Sequence, residues 1–194
     1  MSVTGDPIAR FQQLFARASE NAPFDPVAVT LATASPDGHP SARIVLLRRV
    51  DERGFGFFTN FDSRKGRDLH DNPYAAICAY WPWLDEQARI EGRVMVADAA
   101  ESDEYFAARP RGSQIGAWAS KQSAVLASRD ELEQRYRDLE AEYEGRAVPR
   151  PPHWGGFRLV PDRIEFWRAG SYRLHERNLY ERTDAGWQMR LLYP

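Results

Sequence analysis

The chain has 194 residues, 43% hydrophobic and 12% aromatic, enough for one domain with a buried core. A formal net charge of -2 supplies no global basic field, which argues against a nucleic-acid partner. The one cysteine, Cys78, excludes a disulfide framework or a cysteine metal site within the chain; inside the apolar run "AAICAYW" it is expected to be a small buried hydrophobe.

In chain order, "GDPIARFQQLFARASENA" predicts an N-terminal helix over about 6–20. Asp6 is its N-cap, Pro7 its first residue, and Ile8, Phe11, Leu14, Phe15 and Ala18 its apolar stripe. "AVTLATA" and "SARIVLLRRV" read as strands about a turn at Asp37-Gly38, and "DERG" turns the chain into a third strand, "FGFFTNF". "SRKGRDLHDNP" predicts a short helix that ends by Pro73. "YAAICAYWPW" and "EQARIEGRVMVADA" are strand-like. The second sets Ile90, Gly92, Val94 and Val96 against Gln87, Arg89, Glu91 and Arg93.

"SDEYFAARP" reads as a short helix closed by Pro110, whereas "SQIGAWASKQS" has no clear period. A capping box over Ser128–Glu131 starts a helix with Leu132, Tyr136, Leu139 and Tyr143 on one face, and Gly145 ends it. After the loop "VPRPPHWGG", three or four antiparallel strands are expected, with turns at Pro161-Asp162, Ala169-Gly170 and Asp184-Ala185-Gly186. No repeat divides the chain. The expectation is a single domain over 1–194, mainly β with flanking helices (α+β) or a β-barrel. No leader and no apolar run of roughly 18 residues is visible, so a soluble cytoplasmic protein with no membrane partner is expected.

Catalytic signatures such as G-x-S-x-G, the P-loop, H-E-x-x-H and G-x-G-x-x-G are absent, and the four histidines stand apart, so no metal site is expected. Three cationic clusters remain. Arg43 opens a strand, and Arg64 and Lys65 follow Ser63 at a helix start, where N–H groups favour a phosphate. Of the 26 basic residues only Lys65 and Lys121 are lysines, which makes Lys65 more informative than another arginine. Tyr105 and Arg109, four apart on one helical face, approach Ser113 and suit a second phosphate. Arg173, His175 and Arg177 alternate in "FWRAGSYRLHER" and would share one face of a strand. Each cluster also has a plain reading as solvated surface or helix packing.

Together these stretches resemble the pyridoxine (pyridoxamine) 5′-phosphate oxidase family. The resemblance is carried by "RIVLLRRVDERGFGFFTNFDSRKGRDLHDNP", "YFAARPRGSQIGAWASKQS", "VPRPPHWGGFRL", "IEFW", "RLHER" and "RLLYP", in family order across nearly the whole chain. It implies an FMN-binding split β-barrel that forms a homodimer with FMN at the subunit interface. The segment over about 150–194 would serve dimerisation and substrate. The implied reaction oxidises pyridoxamine or pyridoxine 5′-phosphate to pyridoxal 5′-phosphate, with O2 reduced to H2O2.

By the same resemblance FMN contacts fall on Arg43, Ile44, Val45, Leu46, Leu47, Arg48, Phe58, Thr59, Arg64, Lys65, Gln87, Gln122, Ser123, Trp167 and Arg177. The substrate phosphate falls to Arg48, Tyr105, Arg109 and Ser113. Arg173 and His175 would lie against the pyridine ring as the catalytic pair. Arg48 departs from the family's usual Lys, Phe58 from the common Tyr and Glu176 from the common Asp. Only five residues precede Asp6, where many relatives carry a longer basic arm. Two alternatives are a related flavin oxidase of phenazine biosynthesis, which tends to lose "SQIGAW" and the phosphate-binding residues, and a non-catalytic FMN-binding split barrel.

Overall fold

The computed structural model describes residues 5–194. Helix α1 (Pro7–Ser19) starts as its signals predict: the Asp6 carboxylate accepts a hydrogen bond from the Ile8 N–H at 2.9 Å. Strands β1 (Ala28–Ala34), β2 (Pro40–Asp51) and β3 (Gly54–Asn60) follow, then α2 (Arg64–Asp71), β4 (Tyr74–Trp81) and β5 (Glu86–Val96). Three helices, α3 (Ala99–Ala107), α4 (Arg111–Ala119) and α5 (Arg129–Glu142), precede β6 (Trp154–Arg168), β7 (Glu176–Thr183) and β8 (Gly186–Leu191). No helix among the described residues is long and apolar enough to cross a membrane.

All strand pairs are antiparallel, in the order β3-β2-β1-β4-β5-β6-β7-β8, and β3 also pairs with β6. The first six strands therefore close into a barrel. Strand β6 makes this possible by dividing its length. Its first half, Trp154 to Leu159, pairs with β3, and its second, Arg163 to Arg168, pairs with β7. Strand β5 runs along its other edge throughout.

The changeover falls at a β-bulge. Glu91 faces Arg163 while Gly92 faces Pro161, which leaves Asp162 as the extra residue. A Cβ on Gly92 would stand 2.1 Å from the Val160 carbonyl oxygen, so the position needs glycine. Pro161-Asp162 is thus a bulge within one 15-residue strand and not the turn expected from its composition.

Inside the barrel Leu31, Phe55, Phe57, Ile77, Ile90, Leu159 and Ile164 are wholly buried. Helix α1 lays Ile8, Phe11, Leu14 and Ala18 on this core, and the Phe11 ring meets Phe55 edge-on at 4.9 Å. The outer face differs from the sequence reading at two points. Cys78 is only half-buried there, and Val96 is 64% exposed because the β5 alternation ends at Val94.

The segment without a clear period is helix α4, which buries only Ile115 and Ala119. Helix α5 is capped by Ser128, whose Oγ accepts from the Glu131 N–H at 3.2 Å. A satellite core of Phe106, Ile115, Val148 and Trp154 joins these helices to the start of β6.

Replacing Gly92 by Ala forces the β6 backbone away at the changeover. We expect a loss of at least about 2 kcal/mol of unfolding free energy by urea denaturation, well above that of an ordinary surface substitution.

Candidate active site

A cleft of about 410 Å³ opens where β2, β3 and the helical layer meet. Ile44, Val45, Leu46 and Arg48 line it from β2, and Phe58 and Thr59 from β3. Lys65, Tyr105, Arg109, Pro110, Ser113, Gln122 and Trp154 complete the wall. Arg48 shares the outward face of β2 with Ile44 and Leu46. Leu47 pairs with Phe57 and Arg49 with Gly56, so Arg48 is also the unpaired residue of a second bulge.

One end of the cleft is cationic. Ser63 caps α2, its Oγ accepting from the Gly66 N–H at 3.2 Å, which sets Lys65 in the first turn. Lys65 Nζ donates to Gln122 Oε1 at 2.8 Å, Thr59 Oγ1 at 3.1 Å and Ser63 Oγ at 3.3 Å. These partners are neutral. Burial, helped by the Arg43 charge, lowers the Lys65 pKa to about 8. Arg43 lies behind it, donating to Thr33 Oγ1 and Ser41 Oγ, both at 2.7 Å, with Asp68 at 3.7 Å. Burial lowers the Arg43 pKa; Asp68 opposes this and Arg64 adds to it. Arg43 thus repels both Lys65 and Arg64 with Asp68 as its one carboxylate neighbour, an excess of positive charge that an anion would offset.

The other end holds Arg109. Its guanidinium lies 4.7 Å over the Trp154 ring and 5.6 Å from the Phe106 ring. Its Nη1 is buried and has no hydrogen-bond partner among the described residues, and burial lowers its pKa. A buried donor left unpaired is costly, and an incoming anion removes that cost. Phe58 stacks on Tyr105 at 4.0 Å and 11°, forming an aromatic wall beside it. Tyr105 and Arg109 do not share a helical face as their spacing predicts. Helix α3 ends at Ala107, and Arg109 lies beyond the turn, its N–H donating to the Phe106 carbonyl at 3.1 Å.

The remaining site residues from the sequence lie elsewhere. Gln87, Trp167 and Arg177 stand opposite one another across β5, β6 and β7. Arg177 donates to both Glu165 oxygens, at 2.8 and 3.1 Å. Burial pushes the Glu165 pKa up, but the Arg177 hydrogen bonds and the neighbouring arginines outweigh it and hold the carboxyl below its ordinary range. The His175 ring packs 4.7 Å from Trp167, and its Nδ1 accepts from the Gly170 N–H at 3.2 Å.

The expected alternation of Arg173, His175 and Arg177 along a strand does not form, because β7 begins only at Glu176. Arg173 sits in a 3₁₀ turn over Ser171–Arg173, where Tyr172 and Arg173 take φ of +56° and +64°. This second group is not part of the cleft. None of Gln87, Trp167, Arg173, His175 and Arg177 lines it. Arg43, Leu47, Arg64 and Ser123 do not line the cleft either: Leu47 is in the core, and Ser123 follows Gln122 in a loop at φ +71°. Trp154, which does line it, received no role from sequence reasoning; its only signal was the Gly155-Gly156 pair after it, a mark of close packing against a strand.

Comparison with known proteins bears on the whole chain. The family profile described as pyridoxamine 5′-phosphate oxidase matches residues 18–167, and that of the pyridoxine 5′-phosphate oxidase C-terminal dimerisation region matches residues 154–194. A Myxococcus xanthus protein named pyridoxine/pyridoxamine 5′-phosphate oxidase is 57% identical over 97% of this chain and 92% of its own length. One of the same name from Anaeromyxobacter dehalogenans is 53% identical over 100% of this chain and 98% of its own.

Among solved structures, PhzG from Burkholderia lata 383, in complex with tetrahydrophenazine-1-carboxylic acid, superposes with a TM-score of 0.93 at 35% identity. The match covers 99% of this chain and 94% of that one. A pyridoxamine 5′-phosphate oxidase-related, FMN-binding protein from Nostoc punctiforme shares the fold, with a TM-score of 0.76 at 19% identity over 98% of this chain and 99% of that one. The profile match over most of the chain, with full-length relatives above half identity, settles membership: the chain belongs to the pyridoxamine 5′-phosphate oxidase family.

Proposed function

We propose that the protein is an FMN-dependent oxidase that converts pyridoxamine 5′-phosphate, pyridoxine 5′-phosphate or both to pyridoxal 5′-phosphate, with O2 reduced to H2O2. The observation that carries this reading is a cleft with two separate cationic groups. One is centred on Lys65 and the other on the unpaired Arg109, with Ile44, Val45, Leu46 and Phe58 in the same wall. Two phosphorylated ligands, a cofactor and a substrate, account for both.

Bound FMN supplies the two-electron chemistry. The chain supplies binding and orientation. Lys65, Arg64 and Arg43 neutralise the cofactor phosphate, with Thr59, Gln122 and Ser123 beside them, and the β2 segment Ile44–Leu47 lies along the ring system. Arg48, Tyr105, Arg109 and Ser113 take the substrate phosphate. Gln87, Trp167 and Arg177, with Arg173 and His175, complete the site from a second copy of the chain, since they lie outside its own cleft. In a two-fold dimer each copy gives its cleft to one site and its strand row to the other. The segment over about 150–194 then serves dimerisation and substrate together, in keeping with the dimerisation-region profile over 154–194. Because His175 Nδ1 accepts from the Gly170 N–H, the neutral ring carries its proton on Nε2, which leaves an N–H to direct at the substrate.

A second reading follows from the likeness to PhzG: oxidation of a phenazine precursor. The ligand of that structure is a carboxylic acid, whereas Arg48, Tyr105, Arg109 and Ser113 form a donor set suited to a phosphate dianion.

Purified with flavin, the protein should be yellow, lose that colour anaerobically on addition of pyridoxamine 5′-phosphate, and form pyridoxal 5′-phosphate under air. No flavin reduction by either vitamer phosphate would end this reading. Arg173→Ala should lower turnover or raise KM with FMN still bound; loss of FMN with unchanged chemistry would contradict its assignment to substrate.

Affinity for FMN should also depend on Lys65 ionisation. With a ligand-free pKa of about 8, Lys65 is charged at neutral pH and loses its proton as pH rises. A phosphate dianion favours the charged form, so affinity is highest near pH 7 and falls above 8 by up to roughly tenfold per pH unit. Fluorescence titration of the apoprotein with FMN reads this out, and Lys65→Gln should bind weakly with a flat profile over that range.

A further inference from the structure

We propose that Trp154 is a positioning residue for the substrate phosphate, its indole face holding the Arg109 guanidinium so that the N–H donors stay available to the ligand. Several other buried or half-buried arginines are anchored by carboxylates, while Arg10 is held by the Tyr180 hydroxyl and the Phe166 ring, and Arg135 by the Ala119 carbonyl. Arg158 pairs with Asp51 and Glu101, each at 2.7 Å, and Arg177 with Glu165 at 2.8 Å. Arg109 has no such pair among the described residues. Its cation lies over the Trp154 ring at 4.7 Å instead.

The difference has a chemical consequence. A carboxylate would occupy the guanidinium fork and compete with an incoming phosphate. An aromatic face attracts the cation through its quadrupole and leaves every N–H free. The unpaired, buried Nη1 is what such an arrangement leaves behind.

Trp154 is itself held firmly enough to act as a support. Its ring stacks on Phe58 at 5.7 Å and 10°, and meets Phe106 edge-on at 5.2 Å. Its backbone N–H donates to the Pro151 carbonyl at 3.1 Å, and its carbonyl accepts from Arg150 Nη1 at 2.7 Å. Arg150 is tied in turn to Asp103 on α3, the helix that leads into Arg109, at 2.6 Å. The first residue of β6 and the end of α3 are thereby fixed to each other, and the guanidinium between them has little freedom to turn away. The inference takes the identity of the anion from the proposed function, but the anion site itself stands on Arg109 and Trp154.

The test uses the FMN-loaded protein and two variants, Trp154→Leu, which keeps apolar bulk without a π face, and Trp154→Phe, which keeps a smaller one. We expect Leu to raise both the KM for pyridoxamine 5′-phosphate and the inhibition constant of inorganic phosphate by roughly threefold to thirtyfold. Turnover at saturation and oxidation of unphosphorylated pyridoxamine should change by clearly smaller factors than these two constants, and Phe should recover most of the phosphate affinity. Equal losses on phosphorylated and unphosphorylated substrates would make Trp154 merely structural and overturn the proposal; so would a Phe variant no better than Leu, or unchanged phosphate inhibition. If Trp154→Leu does not fold, Trp154→Phe decides alone: a small rise in both constants supports the proposal, and no rise contradicts it. If wild type oxidises neither vitamer phosphate the proposed function fails, yet calorimetric binding of inorganic phosphate to wild type and variant still decides this inference.

Discussion

The structure depends on the division of labour along β6. One strand closes the barrel with its first half and carries β7 and β8 away with its second, and the bulge at Asp162 separates the two tasks. The first half brings Trp154 beside Phe58 and so builds the cleft wall. The second aligns Trp167, in the fifth pair beyond the bulge, with Gln87 and Arg177. A continuous strand therefore carries residues of both groups, one at the cleft and one in the row of Gln87, Trp167 and Arg177. Antiparallel pairing has a period of two, so an unbulged strand would turn one set of side chains to the wrong face.

Electrostatics follow from this scaffold. Many arginines of the chain sit in ion pairs such as Arg158 with Asp51 and Glu101. At the two ends of the cleft that compensation is withheld: Lys65 is surrounded by hydroxyl and amide oxygens, and Arg109 by aromatic faces. Withholding carboxylates raises the energy of the ligand-free protein locally, and the phosphate that restores balance gains affinity and orientation. The lowered pKa values of Lys65 and Arg109 record the same cost.

Much of this was legible in the sequence, and the failures have physical causes. Asp6 and Pro7 announced α1, turn signals between apolar runs announced β1 to β3, alternation announced β5, and the scarcity of lysine drew attention to Lys65. Helix α4 was hidden because Gly112 and Gly116 dilute its pattern and only Ile115 and Ala119 are buried. Pro161-Asp162 is chemically suited to a turn and to a bulge, and only the partner strand decides between them. The face expected of Arg173, His175 and Arg177 failed because Tyr172 and Arg173 adopt left-handed backbone, which neither residue type signals. Trp154 was invisible as a site residue because a buried aromatic is ordinarily core, and its role comes from what lies on its face.

The central claim is that each site draws its cleft from one copy and its Arg173 turn from another. Subunit mixing tests it most directly: a Lys65→Glu protein and an Arg173→Ala protein, each strongly impaired alone under the assay conditions chosen, are unfolded, combined in equal amounts and refolded with FMN. Random pairing makes half the dimers mixed, and each mixed dimer holds one site with both residues intact, so about a quarter of wild-type oxidase activity should return. Sites built within single chains would carry a defect in every copy, and a mixture as inactive as its parents would contradict the account.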